Sequence, residues 1–345
     1  MTIRPRHPWV QPEEVRSIGQ DEHETLETLF RNVDLSIAQR QLLGCYHQTG
    51  PGRKPRNPLG ILRALLVMRL KGICSLRELT RILDVDKRLR RLCLIHGKER
   101  GYPRSVISRF TRRVGAQMLQ LIIEEKVIRL LGSRSREVDV LLDASFIKAR
   151  SIRHPDDSRV AYSDPDALVG RNGRGYDLGY KLHVAVDHRT MLPIAALLAP
   201  ANDNEKKHAP SLVEKVRWVL GQAGAKLRSL VADSRISSRA VRDLVSDSVI
   251  PYSANQSGDG VLRVDRRFRT HGPEGLVAEY HKRPLVESVF SYLKTQYGLT
   301  VNIVRRLGCV SLYALLSLLC HVLVREAAEC LGRPEKAVSP TFFNV

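Results

Sequence analysis

Residues 180–199, YKLHVAVDHRTMLPIAALLA, contain the pattern that decides the fold. Two apolar runs, 180–187 and 192–199, are separated by the residues HRTM, a connection short enough for a tight turn. The first run also alternates along its length, as a strand does when its two faces meet different surroundings. The stretch therefore predicts an antiparallel hairpin inside a buried sheet.

Apolar runs on both sides of the hairpin extend the predicted sheet. VDVLLD at 138–143 precedes it, whereas LRSLVAD at 227–233 and the short run VIPYS at 249–253 follow it. Helices are predicted at 211–224, at 237–247 and from about 280 to 297. The order strand, strand, strand, helix, strand, helix, strand, helix predicts an α/β domain of the ribonuclease-H-like class, a mixed sheet with flanking helices.

A strongly basic block precedes this domain. Residues 51–134 carry 21 basic and 6 acidic side chains and supply most of the formal net charge of +20. Lys and Arg side chains that neutralise phosphates release the counterions condensed on a nucleic acid, which favours binding. The charge therefore indicates a nucleic acid partner for this block.

Signals for helix starts divide the basic block into three short helices. Asn57-Pro58 suits the first helix, Ser75 with Glu78 forms a capping-box pattern, and Pro103 precedes RSVISRFTRRVG at 104–115. Short helices with tight turns predict an all-α, helix-turn-helix-like DNA-binding domain. The alternative is a solvated cationic surface. Three arginines of the third helix lie largely outside its apolar stripe and are interpreted as DNA contacts: Arg109, Arg112 and Arg113.

The cysteines and the most apolar run indicate where in the cell the protein is expected. The six cysteines show no CxxC pair and no histidine at zinc-finger spacing, so we expect reduced thiols in a cytoplasmic protein. Val310–Val324 is too short to span a bilayer and contains Ser311, Ser317 and His321. This run therefore predicts a buried helix and no membrane partner.

Two acidic residues stand at the ends of predicted strands. Asp143 follows the apolar run at 138–142, and Asp233 follows the one at 227–232. Ligands collect at the carboxyl ends of strands in open α/β sheets, which makes both residues candidates for a metal site. An aspartate at a strand end also forms turns and caps helices, so each residue alone has a structural alternative.

The helix predicted at 280–297 presents a third carboxylate on a polar face. Tyr280, Arg283, Glu287 and Lys294 share an arc of about 60°, opposite a side that is apolar and begins at Leu285. An ordinary surface ladder of ion pairs is the alternative interpretation. Carboxylates from two strands and a helix can, however, converge on hard divalent cations, which prefer oxygen ligands.

These motifs carry a resemblance to a known family. Tyr280, Arg283, Glu287 and Lys294 match the Y-(2)-R-(3)-E-(6)-K signature of prokaryotic insertion-sequence DDE transposases. GYKLHVAVD followed by LP, VAD at 231–233 and LDAS at 142–145 look like the core motifs of the same family. The resemblance covers residues 138 to about 325, and the basic block is similar to the family's N-terminal DNA-binding domain.

The resemblance implies a DNA transposase that binds terminal inverted repeats, cleaves strands and joins them to target DNA. Asp143, Asp233 and Glu287 would hold two Mg²⁺ ions, with Mn²⁺ as a substitute, and Tyr280, Arg283 and Lys294 would hold DNA. The partners would be double-stranded DNA and a second copy of the chain, in the nucleoid of a prokaryotic cell. The expected division is 1–56 helical segment and linker, 57–134 DNA-binding domain, 135–330 catalytic domain and 331–345 tail.

The sequence also departs from the family pattern. Ser-Arg-Ile-Ser follows Asp233, where many members have Gly-Tyr-Asp. Residues 255–279 are too few for the large β-insertion that some relatives carry before the catalytic glutamate. His183 is interpreted as structural, and Asp187 as a turn residue that would replace Asp143 in the metal site if Asp143 were not a ligand.

Two other functions remain compatible with these residues. A non-catalytic DNA-binding protein, regulatory or domesticated, would bind DNA without metal dependence and without strand scission. A nuclease of ribonuclease-H-like fold would cut DNA without producing strand-transfer products.

Overall fold

The computed structural model describes residues 25–46, 55–97, 99–132, 137–173, 175–245, 247–251, 276–301 and 303–343. Eleven helices are described: α1 Leu26–Arg31, α2 Ser36–Gly44, α3 Pro58–Leu70, α4 Leu76–Val85, α5 Lys87–Leu92, α6 Arg104–Leu131, α7 Glu205–Gln222, α8 Arg239–Leu244, α9 Leu276–Tyr280, α10 Pro284–Thr295 and α11 Leu307–Cys330. The strands are β1 Glu137–Lys148, β2 Leu168–Asn172, β3 Gly175–Asp187, β4 Pro193–Pro200, β5 Lys226–Ala232 and β6 Asp247–Val249.

The six described strands form one mixed sheet in the order β2-β3-β1-β5-β6, with β4 also paired to β3. β1, β3 and β4 are antiparallel neighbours, whereas β5 and β6 run parallel to β1. Apart from the short strand β2, which was not predicted, the strands and the helices between them follow one another in the order that the apolar runs predict. The predicted mixed sheet with flanking helices is confirmed, and so is the predicted hairpin, which β3 and β4 form.

The register of the strands shows which face of the sheet each side chain points to. Asp143 lies opposite Val184, and Ala144 lies opposite His183, so Asp143 and His183 point to opposite faces. The ring of His183 lies 5.5 Å from His208 of α7, whereas Asp143 contacts Arg283 beside α10. Helices α7 and α10 therefore cover opposite faces of the sheet.

The first predicted helix of the basic block begins and ends as the sequence indicates. Asn57 accepts hydrogen bonds from the N–H groups of Leu59 and Gly60, and Gly72, with φ of +60°, follows the helix end. The hydroxyl of Ser75 accepts from the N–H of Glu78 at 3.1 Å and so caps α4. The caps explain why these helices are readable from the sequence.

The third helix of the block differs from its prediction. Gly115 has φ of +64° and kinks α6, but the helix continues to Leu131 instead of stopping there. A short cationic helix, α5, also lies between the second and third predicted helices. Asp86 ends α4, and its carboxylate caps α5 by accepting hydrogen bonds from the N–H groups of Arg88 and Leu89.

The continuation of α6 joins the helical block to the sheet. Its second half packs against α11, which also contacts α3 and β4, and one continuous apolar cluster runs through all of these elements. Beyond α11 the chain folds back, and Phe343 is fully buried near α1. The predicted domain boundaries stay a prediction.

Helix α11 is longer than predicted, and its 24 residues could cross a membrane by length and composition alone. The expectation that this run is too short was wrong. The apolar window of the helix is 78% buried against the protein, however, as in the core helix of a globular fold. The prediction of a buried helix therefore agrees with the structure.

The helix predicted at 280–297 is two helices. Tyr280 ends α9, a turn follows, and Pro284 begins α10. Proline lacks an N–H and its ring crowds the carbonyl four residues earlier, which explains the break. Leu285 is 40% exposed at the start of α10 and does not belong to the packed side to which it was assigned. Residues 252–275, with most of the predicted loop at 255–279, lie outside the described residues.

Candidate active site

Asp143 lies inside β1 and not at its end, contrary to the prediction. β1 continues to Lys148 because its antiparallel partner β3 continues beside it. The parallel partner β5 stops at Ala232, which is opposite Leu142. From Asp143 onward, β1 is therefore no longer paired with β5.

Asp233 follows β5 at the same level of the sheet. Its carboxylate accepts a hydrogen bond from the N–H of Ser234 at 2.6 Å and caps the 3₁₀ turn Ser234–Ile236. The guanidinium of Arg235 lies 3.8 Å from the other oxygen. Asp233 therefore caps a turn, which is the structural role considered for it in the sequence. It also lies next to Asp143, because the residues before the two aspartates, Leu142 and Ala232, are paired.

Arg283 links the carboxylates of β1 and α10. One terminal nitrogen lies 3.3 Å from Oδ2 of Asp143, and the other lies 2.9 Å from Oε1 of Glu287. The guanidinium also lies 6.0 Å from the centre of the Tyr280 ring. The turn before Pro284 therefore brings together four residues of the predicted site, although they do not share one helix.

The charge at this point is unbalanced. Burial, assisted by the negative charge of Asp233, raises the pKa of Asp143 to about 6, although the N–H of Ala144 and the charge of Arg283 both act to lower it. Burial lowers the pKa of Arg283, but the carboxylates of Asp143 and Glu287 outweigh burial and raise it above its ordinary value. An additional cation would stabilise the ionised form of Asp143.

The side chains of the site have the chemistry of ligands for a divalent metal. Asp143, Asp233 and Glu287 offer only carboxylate oxygens, the ligands that Mg²⁺ and Mn²⁺ prefer. As the side chains lie, no three His, Cys, Asp or Glu groups within the described part of the chain are close enough to hold one ion. The guanidinium of Arg283 lies between Asp143 and Glu287 instead.

Lys294 lies two turns beyond Glu287 on α10. Its side chain is half-buried, and burial lowers its pKa. Arg109, Arg112 and Arg113 lie on a different element, α6, where all three are exposed. The guanidinium of Arg113 stacks on the ring of Tyr46 at 4.6 Å.

An open groove of about 570 Å³ adjoins the carboxylates. Arg235, the neighbour of Asp233, lines it, as does Glu205, whose charge acts on Asp143. Four cations border the groove: Arg171, Lys181, Lys206 and Arg235. The ring of Tyr176 is 71% exposed beside them. This surface was not predicted from the sequence, although Lys181, the one lysine in the largely apolar run 180–187, could have indicated it.

Asp187 and His183 have structural surroundings. The carboxylate of Asp187 accepts hydrogen bonds from the N–H of Arg189 and the hydroxyl of Thr190, within the turn that follows β3. His183 is 1% exposed, and burial lowers its pKa to about 4, which keeps the ring neutral. Both observations agree with the structural interpretation of these two residues.

The sequence matches two family models. The model described as "Transposase DDE domain" matches residues 134–323, more than half of the chain. The chain belongs to the DDE transposase family. A second model, described as a transposase domain, matches residues 14–113 of this transposase, which include the basic helices. Comparison with curated proteins gives no match.

Two solved structures resemble the transposase. The piggyBac transposase in a synaptic complex with hairpin DNA has a TM-score of 0.47 and 11% identity, over 95% of this chain and 81% of that one. The Mos1 transposase paired-end complex with the left transposon end has a TM-score of 0.22 and 14% identity, over 86% and 80%. The family assignment rests on the sequence matches.

Membership of this family gives the transposase its general activity. It is an enzyme of DNA transposition, it acts on DNA, and its chemistry depends on a divalent metal. The match to this family includes β1 and α10, which carry Asp143 and Glu287, and β5, which Asp233 follows directly.

Proposed function

We propose that Asp143, Asp233 and Glu287 are the catalytic carboxylates of this transposase and that they bind two Mg²⁺ ions. The observation that carries the proposal is the position of Arg283, whose guanidinium contacts both Asp143 and Glu287. A cation already lies between carboxylates from two distant parts of the chain. Bound metal ions would activate a water or a 3′-hydroxyl and stabilise the departing oxygen of the phosphodiester.

The cations of the site have separate roles in this proposal. Arg283 moves from the carboxylates to the phosphate that reacts, where its planar guanidinium forms paired hydrogen bonds with the phosphate oxygens. Lys294 lies further along α10 and neutralises a neighbouring phosphate. The ring of Tyr280 supports Arg283 through the cation–π contact. Arg235, which is half-exposed in the adjoining groove, contacts the DNA strand there.

The proposed substrate is the terminal inverted repeat of an insertion sequence. The transposase hydrolyses the strand at the 3′ end of the element, and the new 3′-hydroxyl then attacks target DNA. Two copies of the chain hold the two ends, since each copy carries one set of carboxylates. The protein acts at the nucleoid of a prokaryotic cell.

A strand-transfer assay tests the function. A labelled duplex that ends in the inverted repeat flanking the gene is incubated with a target plasmid and either Mg²⁺ or EDTA. We expect labelled plasmid with Mg²⁺ only, because joining requires the metal-bound carboxylates. Cleavage without joined product would instead favour a nuclease, and binding without cleavage would favour a non-catalytic protein.

We also propose that Arg109, Arg112 and Arg113 contact the backbone of the terminal repeat. Arg109 and Arg112 project from the exposed side of α6, and their Nε groups donate to the carbonyls of Ser105 and Ser108 in the same helix, at 3.3 and 3.4 Å. Arg113 stacks on Tyr46, so its replacement would also disturb packing. The first two arginines therefore give the cleaner test.

Replacing Arg109 and Arg112 together by Gln is expected to weaken DNA binding at low salt. Each lost phosphate contact lowers the slope of log K against log salt by roughly 0.9, so the slope should fall by about 2. Fluorescence anisotropy across a salt series measures it. Arg217→Gln, an exposed arginine of α7, serves as the control. An unchanged slope in the double variant would remove α6 from the DNA interface.

A further inference from the structure

A second cationic site lies in the helical part of the transposase, on elements other than those that form the active site. A cleft of about 480 Å³ is bordered by helices α1, α3 and α5. Four of its seven lining residues are arginines: Arg31, Arg63, Arg88 and Arg91. Glu27 is the one acidic residue among the described residues that line it. We refer to this feature as the arginine cleft.

Arg63 is the fixed centre of the arginine cleft. Its guanidinium lies 5.3 Å from the centre of the Phe30 ring, and one terminal nitrogen donates a hydrogen bond to the carbonyl of Leu92 at 3.2 Å. The Nε group is buried and has no hydrogen-bond partner among the described residues. Burial lowers the pKa of Arg63. The side chain is therefore held in place with part of its donor capacity unused.

The other arginines approach this centre from two helices. Arg88 and Arg91 are three residues apart on α5, so they share one side of that helix, and both are exposed. Arg31 reaches the cleft from the last turn of α1. Four guanidinium groups around one cleft repel one another, and Glu27 offsets only one of the charges. A bound anion would remove the repulsion and accept hydrogen bonds from the exposed guanidinium groups of Arg31, Arg88 and Arg91.

We propose that the arginine cleft binds a single phosphodiester of the DNA backbone, as an anchor separate from the active site and from the exposed arginines of α6. The inference rests on the proposed function, because it assigns a second contact to the same DNA. Guanidinium groups pair with phosphate oxygens in a planar, bidentate geometry, and convergent arginines from three helices suit one tetrahedral anion. The site fixes the position of the duplex and does not read its sequence.

Methylphosphonate scanning tests the arginine cleft. Duplexes of the terminal repeat, each with one uncharged methylphosphonate linkage, are titrated with the protein in the Asp143→Asn background, where cleavage cannot disturb the binding signal. We expect one linkage at which neutralisation weakens binding roughly tenfold or more. In Arg88→Gln/Arg91→Gln, and separately in Arg31→Gln, the same linkage should lose its effect, because the partner of that phosphate is missing.

Other measurements distinguish this result from a general loss of charge. The double variant should lower the salt slope by about 1, since both arginines meet one phosphate. Glu27→Gln should tighten binding, and Arg217→Gln should leave the linkage effect intact. Because these substitutions are at exposed residues, circular dichroism is expected to show unchanged helix content in each variant.

Three results would overturn the proposal. The linkage effect could persist in the variants. Alternatively, Arg31→Gln and Arg88→Gln/Arg91→Gln could act at different linkages, and these arginines would then be separate surface contacts. Inorganic phosphate could also bind, detected by ³¹P line broadening that the double variant abolishes, while no linkage responds; the cleft would then be a site for free phosphate. The strand-transfer assay of the wild type tests the proposed function independently of all three results.

Discussion

Asp143→Asn, Asp233→Asn and Glu287→Gln are each expected to reduce cleavage of the terminal repeat on the order of 10³-fold or more. Each substitution removes one ionised oxygen ligand and keeps the shape of the side chain. Metal ions supply several kcal/mol of transition-state stabilisation in phosphoryl transfer, and each 1.36 kcal/mol corresponds to a factor of ten in rate. The measurement is the single-turnover rate of strand cleavage with Mg²⁺, with DNA bound to saturation.

Matched controls separate ligand loss from a general change of charge. Glu214→Gln removes an exposed carboxylate from helix α7, and Asp156→Asn removes a side chain that is 90% exposed. Both should cleave at the wild-type rate. Isothermal titration in the absence of DNA should show that the three site variants bind Mg²⁺ more weakly than the wild type. The two controls should bind Mg²⁺ as the wild type does. Wild-type cleavage by any of the three site variants would remove that residue from the triad.

The sheet could be predicted because its strands carry their own signals. The runs at 180–187 and 192–199 are apolar and closely spaced, and both lie in the strands β3 and β4. The end of β1 could not be predicted in the same way. Residues after Asp143 stay in the strand because β3 lies beside them, and that pairing joins residues 31 to 39 positions apart in the chain, from Lys148 with Gly179 to Ala144 with His183.

For the candidate site, too, features within one stretch of the chain could be predicted, whereas contacts between distant stretches could not. The spacing of Arg283, Glu287 and Lys294 predicts a functional surface without any structure. The contact of Arg283 with Asp143 depends on the break at Pro284 and on the position of α10 against the sheet, neither of which a helical periodicity contains. The groove and the arginine cleft depend on packing between separate elements, so their residues carry no shared motif.

Asp143→Asn is expected to stabilise the metal-free protein at pH 8 while it abolishes activity. The pKa of Asp143 is about 6 in the fold against 3.8 for the unfolded chain, so ionisation of the folded state carries a penalty above pH 6. A shift of this size corresponds to at most about 3 kcal/mol, and we expect about 1–3 kcal/mol at a side chain that is 17% exposed. Asn carries no charge and avoids the penalty.

The sign of the pH dependence follows from the same shift. As pH falls from 6 toward 4, the folded wild type takes up a proton at Asp143 before the unfolded chain does, so the advantage of Asn should disappear. His183 and His321, whose pKa values burial lowers to about 4, destabilise the fold over part of the same range. Both histidines are present in the two proteins, so their effect cancels in the difference between wild type and variant.

Urea unfolding in EDTA at pH 8, 6 and 4 measures this difference, and a repeat with Mg²⁺ tests its cause. Metal binds the folded wild type and should raise its free energy of unfolding by about 2.7 kcal/mol at 100 times the dissociation constant. The variant lacks the ligand and should gain less, so the order of stability at pH 8 should approach equality or reverse. A variant less stable than the wild type in EDTA at pH 8 would mean that the contact of Asp143 with Arg283 outweighs its burial, and that the site is an ion pair completed without metal.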